Sequence, residues 1–450
     1  MESRLQLRDL QGLPLSGAGT DGLEHYETAL HSLRCFIVDP IAAADAAIAA
    51  DPGFVMAHVF KGYVYGLSTE AAAVPVAKAC AKAAAALPAT EREKAHVEAL
   101  SHLANGRWHQ AGQVLEELTI RYPRDALGLQ AGHQIDFFTG NARMLRDRIA
   151  RALPAWDEAM PGYHALLGMH AFGLEETGEY DRAERTGKRA VELQPRDGWA
   201  QHAVAHVMEM QCRQTEGIAW MRADTDAWTR ESFLQIHNWW HLALFHFDLG
   251  QVDEVLALYD GPIAGGRSEI ALNMVDASAI LWRLSITGAD CGDRFGPLAD
   301  LWEKQAGGSN YAFNDAHAMM AFVGAGRQAA AGRLLEAQRD ALASAGDNAA
   351  FTRDVGQPVA LAIHAFGDGD YAEAVRLLRP IRHIAHRFGG SHAQRDAIDL
   401  TLVEAAIRSG DAALARALTS ERYYARPASP LSRLFRDRAE ALSNEIHNHH

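Results

Sequence analysis

The residues of this 450-residue chain best suited to chemistry are histidines, 22 in all, and those in the middle third stand at helical spacings. His202 and His206 are four residues apart with Glu209 three further on, and His237 and His241 repeat the four-residue step. Each pair therefore projects from one face of a helix. Two imidazoles at that spacing make half a metal site, and His202, His206 and Glu209 form a His-His-Glu set suited to zinc or iron. His170, His206 and His241 lie about one repeat apart, which stacks them along a helical array; the alternative for His170 and His206 is a packed core position with one hydrogen bond each. Two acids stand near enough in sequence to orient an imidazole as a general base: Asp276, opening VDASAILW, and Asp315, two residues before His317. Asp315 is equally an early-turn acid favoured by the helix dipole. Arg395 is read either as a substrate anchor or as half of an ion pair with Asp396. No motif indicates a cofactor; a divalent metal is the one these residues suggest.

The elements that must position these side chains are helices arranged as a repeat. The clearest unit is His164 to Pro195: HALLGMHAFGLEE ends at Thr177-Gly178 and YDRAERTGKRAVEL ends at Gln194-Pro195. Ala171, Gly178, Tyr180, Ala183, Ala190 and Pro195 put small residues at a helix crossing, a glycine in the turn and a proline at the stop. Turn glycines recur at Gly106, Gly140, Gly178, Gly250 and Gly288, with the turn at Gln214 to Gly217 filling the double interval. Looser turns follow at Gly324 to Gly326, Gly367 to Gly369 and Gly410. The pattern predicts an all-α, right-handed α-solenoid of roughly nine to ten tetratricopeptide-like helix pairs. We expect an irregular arm over 1–22, one superhelical domain over 23–442 and a disordered tail over 443–450. The terminal IHNHH binds metal adventitiously and is set aside.

In such arrays the second and sixth positions of each first helix line the concave groove, where His237, His241 and His317 fall. The neighbouring lining reads Met169, Phe172, Met208 and Trp240, then Leu244, Trp282, Phe313 and Met320. This apolar, aromatic surface lacks the lysines and arginines that grip an acidic peptide tail, and an apolar cavity with a few polar groups suits a small, partly apolar ligand. With a one-residue register error the same aromatics become inter-repeat core.

Composition narrows the function classes. The net charge of −14 argues against nucleic acid, which needs a concentrated basic surface. No apolar run approaches the ~20 residues that span a bilayer, and no signal peptide is read at the N-terminus. Cys35, Cys80, Cys212 and Cys291 are far apart, as expected of reduced thiols in a cytoplasmic protein. Gly17, Gly19 and Gly22 match a dinucleotide-binding spacing, but no strand precedes them.

The segments HALLGMHAFGLEETGEYDRAE, WAQHAVAHVMEM, IHNWWHLALFHFDLG and FGGSHAQRD resemble the tetratricopeptide repeat protein 38 family over about residues 30 to 440. The resemblance implies an all-helical repeat protein and no particular activity. Three readings of function follow: a solenoid binding a small, partly apolar molecule in a histidine and aromatic pocket; an enzyme of hydrolase or lyase type, with or without metal, in that pocket; and a scaffold holding a peptide in the groove. Oligomeric state is left open.

Overall fold

The computed structural model of this protein describes residues 6–305 and 309–448. Among these residues it is all-helical, with isolated two-residue bridges in place of strands. Antiparallel helices pair in sequence, from Thr20–Cys35 with Pro40–Ala50 to His392–Arg408 with Ala412–Ala425, and Pro430–Asn448 closes the series. This is a tetratricopeptide-like α-solenoid.

Local sequence explains where each helix begins and ends. Thr90 with Glu93 and Ser391 with Gln394 form capping boxes, and Asp39, Asp125, Asp370 and Asp411 accept backbone N–H groups at other starts. The turn glycines from Gly106 to Gly288 take the left-handed conformation, as at Gly178 (φ 80°) and Gly250 (φ 73°), and in the looser turns Gly326, Gly369 and Gly410 do so. Within the double interval the turn falls earlier than Gln214 to Gly217: Cys212 holds the glycine position at φ 56°. Gly217 serves packing, since a Cβ there would lie 2.2 Å from the Phe245 ring. An L-residue in the left-handed region is strained, so Cys212→Gly is expected to raise stability by about 1 kcal/mol, less the entropy that glycine adds to the unfolded chain. Urea midpoints of the two proteins check this, and an unchanged or lower midpoint counts against strain at Cys212.

The chain, expected to form one domain over 23–442, groups by contacts into two compact units. The first comprises Met1–Val204, Asp224–Gln235 and Ala345–Asp347; the second comprises Ala205–Ala223, Ile236–Ser344 and Asn348–His450. In the first unit the N-terminal arm is pinned by hydrogen bonds: Leu10 N–H donates to Glu27 (2.8 Å), the Ser16 hydroxyl to Glu93 (2.6 Å) and Arg92 to the Pro14 carbonyl (2.9 Å). The helix after the arm begins at Thr20. In the second unit Ala271–Ile286 packs against His392–Arg408, with Trp282 Nε1 donating to the Thr401 hydroxyl (2.9 Å) and Arg408 to the Ile286 carbonyl (2.8 Å). The tail expected to be disordered is instead helical as far as Asn448, because RAEALSNEI carries no glycine or proline to stop the last helix. His449 and His450 lie outside the described residues.

Candidate functional site

Three helices of the second unit bring the site together. The C-terminal half of Gly198–Met210 carries His206 and Glu209, Gln235–Asp248 carries His237, Trp240 and His241, and Ala271–Ile286 carries Asp276 and Arg283. The ligand nitrogens of His206, His237 and His241 lie within 4.8 Å of one another. Ring centroids are 4.4 Å apart for His206 and His241 and 4.9 Å for His237 and His241.

Carboxylates stand behind two of these rings. His237 Nδ1–H donates to Asp276 at 2.9 and 3.1 Å, which turns its Nε2 away from the acid. His241 Nδ1 lies 3.4 Å from a Glu209 oxygen, and the other Glu209 oxygen is 3.8 Å from Arg426. Trp240 stacks on His237 (5.4 Å, 15°), and the Arg283 guanidinium sits 5.4 Å from the Trp240 ring centre. Burial, reinforced by neighbouring imidazoles, pushes the pKa values of His206 and His241 well below the usual histidine range, so both rings are neutral at pH 7. Burial raises the Glu209 carboxyl against the pull of Arg426, and burial lowers the Arg283 guanidinium to about 10. Neutral imidazoles backed by carboxylates are the usual form of metal-binding histidines.

The spacing of His237 and His241 is thus realised as a convergence, with Asp276 oriented as the general-base reading requires. Glu209 takes a different place from the one its spacing suggested: it backs His241. His202 is grouped with the first unit, its ring against Trp199 (4.6 Å) and Phe172 (5.3 Å). In that unit Met169 belongs to an apolar core cluster, and burial brings His170 down to about 4.

Several other expectations are corrected. Asp315 does not orient His317: it accepts from Ser309 and Gln338, while His317 Nδ1–H donates to the Phe313 carbonyl (2.8 Å). Burial raises Asp315 to about 6 and lowers His317 to about 4, marking both as core groups. Arg395 donates to the Gly390 carbonyl, and Asp396 takes both terminal nitrogens of Arg422, at 2.7 and 3.0 Å. Met208, Leu244, Trp282, Phe313 and Met320 are all at most 5% exposed, so within the second unit this apolar stripe is core rather than groove lining. Between Leu244, Arg283, Arg422 and Arg426 a space of about 20 Å³ remains, the size of one water. Sequence reasoning missed the buried arginines; the visible signal was a charged residue inside the apolar run ILWRLSI.

No protein-family model matches the sequence. Solved structures of like fold include the human IFIT1 dimer with m7Gppp-AAAA (15% identity, 95% of this chain and 96% of that chain, TM-score 0.43). Naa15/Naa10 bound to HypK-THB (13%, 89% and 68%, TM-score 0.23) and the P58(IPK) TPR domain (13%, 87% and 99%, TM-score 0.18) are further examples. The likeness is one of fold alone. The expectation that nucleic acid is excluded is withdrawn: the IFIT1 structures are solved with m7Gppp-AAAA and with PPP-AAAA. The exclusion rested on net charge, which sums the whole surface and does not describe the local charge of a binding face. As for membranes, no helix among the described residues is long and apolar enough to cross one.

Proposed function

We propose that the second unit holds one divalent metal ion, of zinc type, on His206, His237 and His241, and that this ion organises the binding of a small molecule. The observation that carries the reading is the meeting of three imidazoles within 4.8 Å, with His237 hydrogen-bonded to Asp276 and a Glu209 oxygen 3.4 Å from His241 Nδ1. The Asp276 carboxylate on His237 Nδ1 favours the tautomer that presents Nε2 to a metal and raises its basicity. Three protein nitrogens leave a fourth position for water or a ligand, the arrangement of catalytic rather than structural zinc. Held by these three histidines, such an ion would supply the acidification of a bound water, so the chemistry that fits is hydrolysis or hydration of a small substrate. We also take the chain to be a tetratricopeptide repeat protein 38 type, on the segments that carry the resemblance, three of which contribute His206, His237 and Asp396 to the second unit.

The test uses full-length protein carrying His447→Ala, His449→Ala and His450→Ala, so that terminal histidines contribute no metal. After zinc loading and dialysis, elemental analysis is expected to find one zinc per chain, and cobalt(II) is expected to give the visible absorption of a four-coordinate site. His237→Ala and His241→Ala should each reduce occupancy to background while keeping the helical circular dichroism spectrum. Absence of retained metal in the parent, or full occupancy in both variants, would overturn the reading.

A further inference from the structure

We infer that the first unit contains a separate site for the carboxylate of a small organic acid, built around Arg34. Arg34 lies in the last turn of Thr20–Cys35, where the chain reverses through Phe36 at φ 57°. Its residue exposure is 6%, and among the described residues it makes no ion pair and a single long hydrogen bond, 3.4 Å to the Gln11 side chain. A guanidinium carries five donors, and one long hydrogen bond to a neutral amide uses a single one of them. The nearby acid on its own helix, Glu27, accepts from the Leu10 N–H instead, and its charge only partly offsets the burial that lowers the Arg34 pKa.

The surroundings of Arg34 call for an anion. The guanidinium rests on Gly162, where a Cβ would fall 2.8 Å from Nη1. Gly162 is the N-cap of Tyr163–Glu176 and supplies no capping side chain, so a cation lies at the positive end of a helix dipole. A gap of about 10 Å³ lies between Arg34, Phe36, Gln130, Met169 and Trp199, which admits one carboxylate oxygen and leaves the body of the acid outside it. Phe36 and Trp199 stack at 5.5 Å and 16° to form an aromatic wall. Trp199 Nε1 is buried and finds no acceptor among the described residues. Two donor groups without matching acceptors, beside an aromatic wall, specify an acceptor-only group with an apolar body. A carboxylate meets both demands, and Arg34 presents the fork geometry that binds it. This site shares no residue with the histidine centre and stands or falls independently of it.

The probes are benzoate and acetate, with benzamide, acetamide and chloride as controls. In thermal unfolding at constant ionic strength, benzoate and acetate are expected to raise the melting temperature of the full chain, benzoate more, while the amides and chloride leave it unchanged. Arg34→Met should melt at or above the temperature of the ligand-free parent, because it removes an uncompensated buried charge, and should lose the benzoate shift. Trp199→Phe keeps the aromatic wall and should weaken benzoate severalfold by calorimetry. The inference is overturned by no carboxylate-specific shift in the parent, by chloride matching benzoate, or by Arg34→Met unfolding well below the parent or keeping the shift.

Discussion

Arg422→Ala is expected to lower the stability of the chain by about 3 kcal/mol at pH 7, the low end of the cost of breaking a buried ion pair by deleting one partner. Arg422 holds both oxygens of Asp396, at 2.7 and 3.0 Å, and their side chains are 7% and 15% exposed. Deleting the arginine strands a carboxylate that Arg426 and Arg283 stabilise only through longer-range charge. The sign of the pH dependence follows. Burial alone would raise Asp396, but Arg422 and Arg426 hold its pKa well below the usual carboxylate range. A depressed folded pKa gives stability that is present above the unfolded value of about 3.9 and lost as pH falls below it. The gap between parent and Arg422→Ala should therefore be widest near neutrality and narrow below about pH 4. Asp315, whose pKa is raised by burial, acts in the opposite direction but equally in both proteins and cancels in the difference; Glu209, also raised by burial, loses the opposing charge of Arg422 in the variant and rises further, which adds to the gap at neutral pH. Urea unfolding at pH 7 and near pH 3.5 measures the gap. A gap under 1 kcal/mol at pH 7, or one that does not shrink in acid, would show that the pair contributes little.

The fold was readable because its repeat is written in residues with few conformational alternatives. Gly178 and Gly250 mark turns that need a positive φ, and the small residues of Tyr180–Leu193, such as Ala183 and Ala190, lie fully buried in a close helix crossing. The pattern lapsed at Cys212, which takes the same left-handed turn with a side chain attached, and a glycine search passes over it. The last helix was misjudged for a related reason: a histidine-rich terminus looks like a tail in composition, whereas helix continuation depends on the absence of stop residues.

The site was legible only where chemistry coincided with periodicity. His237 and His241, four apart on one helix, could be paired from sequence, and Asp276 could be proposed as an orienting acid from its place at the start of VDASAILW, although that helix begins earlier, at Ala271. What spacing could not supply was the partner across the repeat. Asp315 stands two residues from His317, a separation that points side chains to different helix faces, and the two find other partners. Asp396 likewise finds a partner across the repeat, Arg422 of the following helix. Burial is the other hidden variable: an aromatic stripe at groove positions has the same spelling whether the groove is open or filled, and here the filling comes from a helix more than 100 residues away in sequence, as in the bond from Trp282 to Thr401.

That distinction gives the second large effect. Trp282→Ala is expected to cost about 3–5 kcal/mol, as truncation of a buried aromatic does when the cavity cannot collapse. Trp282 is 2% exposed, its indole N–H is bonded to Thr401, and its ring meets Phe366 edge-on at 5.6 Å. The Thr401 hydroxyl keeps its own bond to the Ala397 carbonyl (2.7 Å), so most of the loss is packing rather than a stranded polar group. A residue lining a solvent-filled ligand groove would behave differently, since its truncation removes contact with ligand and leaves the free protein nearly as stable. Urea unfolding separates the two: a loss below 1 kcal/mol would reopen the apolar groove, whereas a loss near 4 kcal/mol fixes Trp282 as core. His237→Ala supplies the contrast, because His237 keeps 15% of its side chain exposed and its removal should affect metal occupancy far more than stability. If the two variants exchange these phenotypes, the histidines are core and the tryptophan stripe is the site, and the metal reading fails with them.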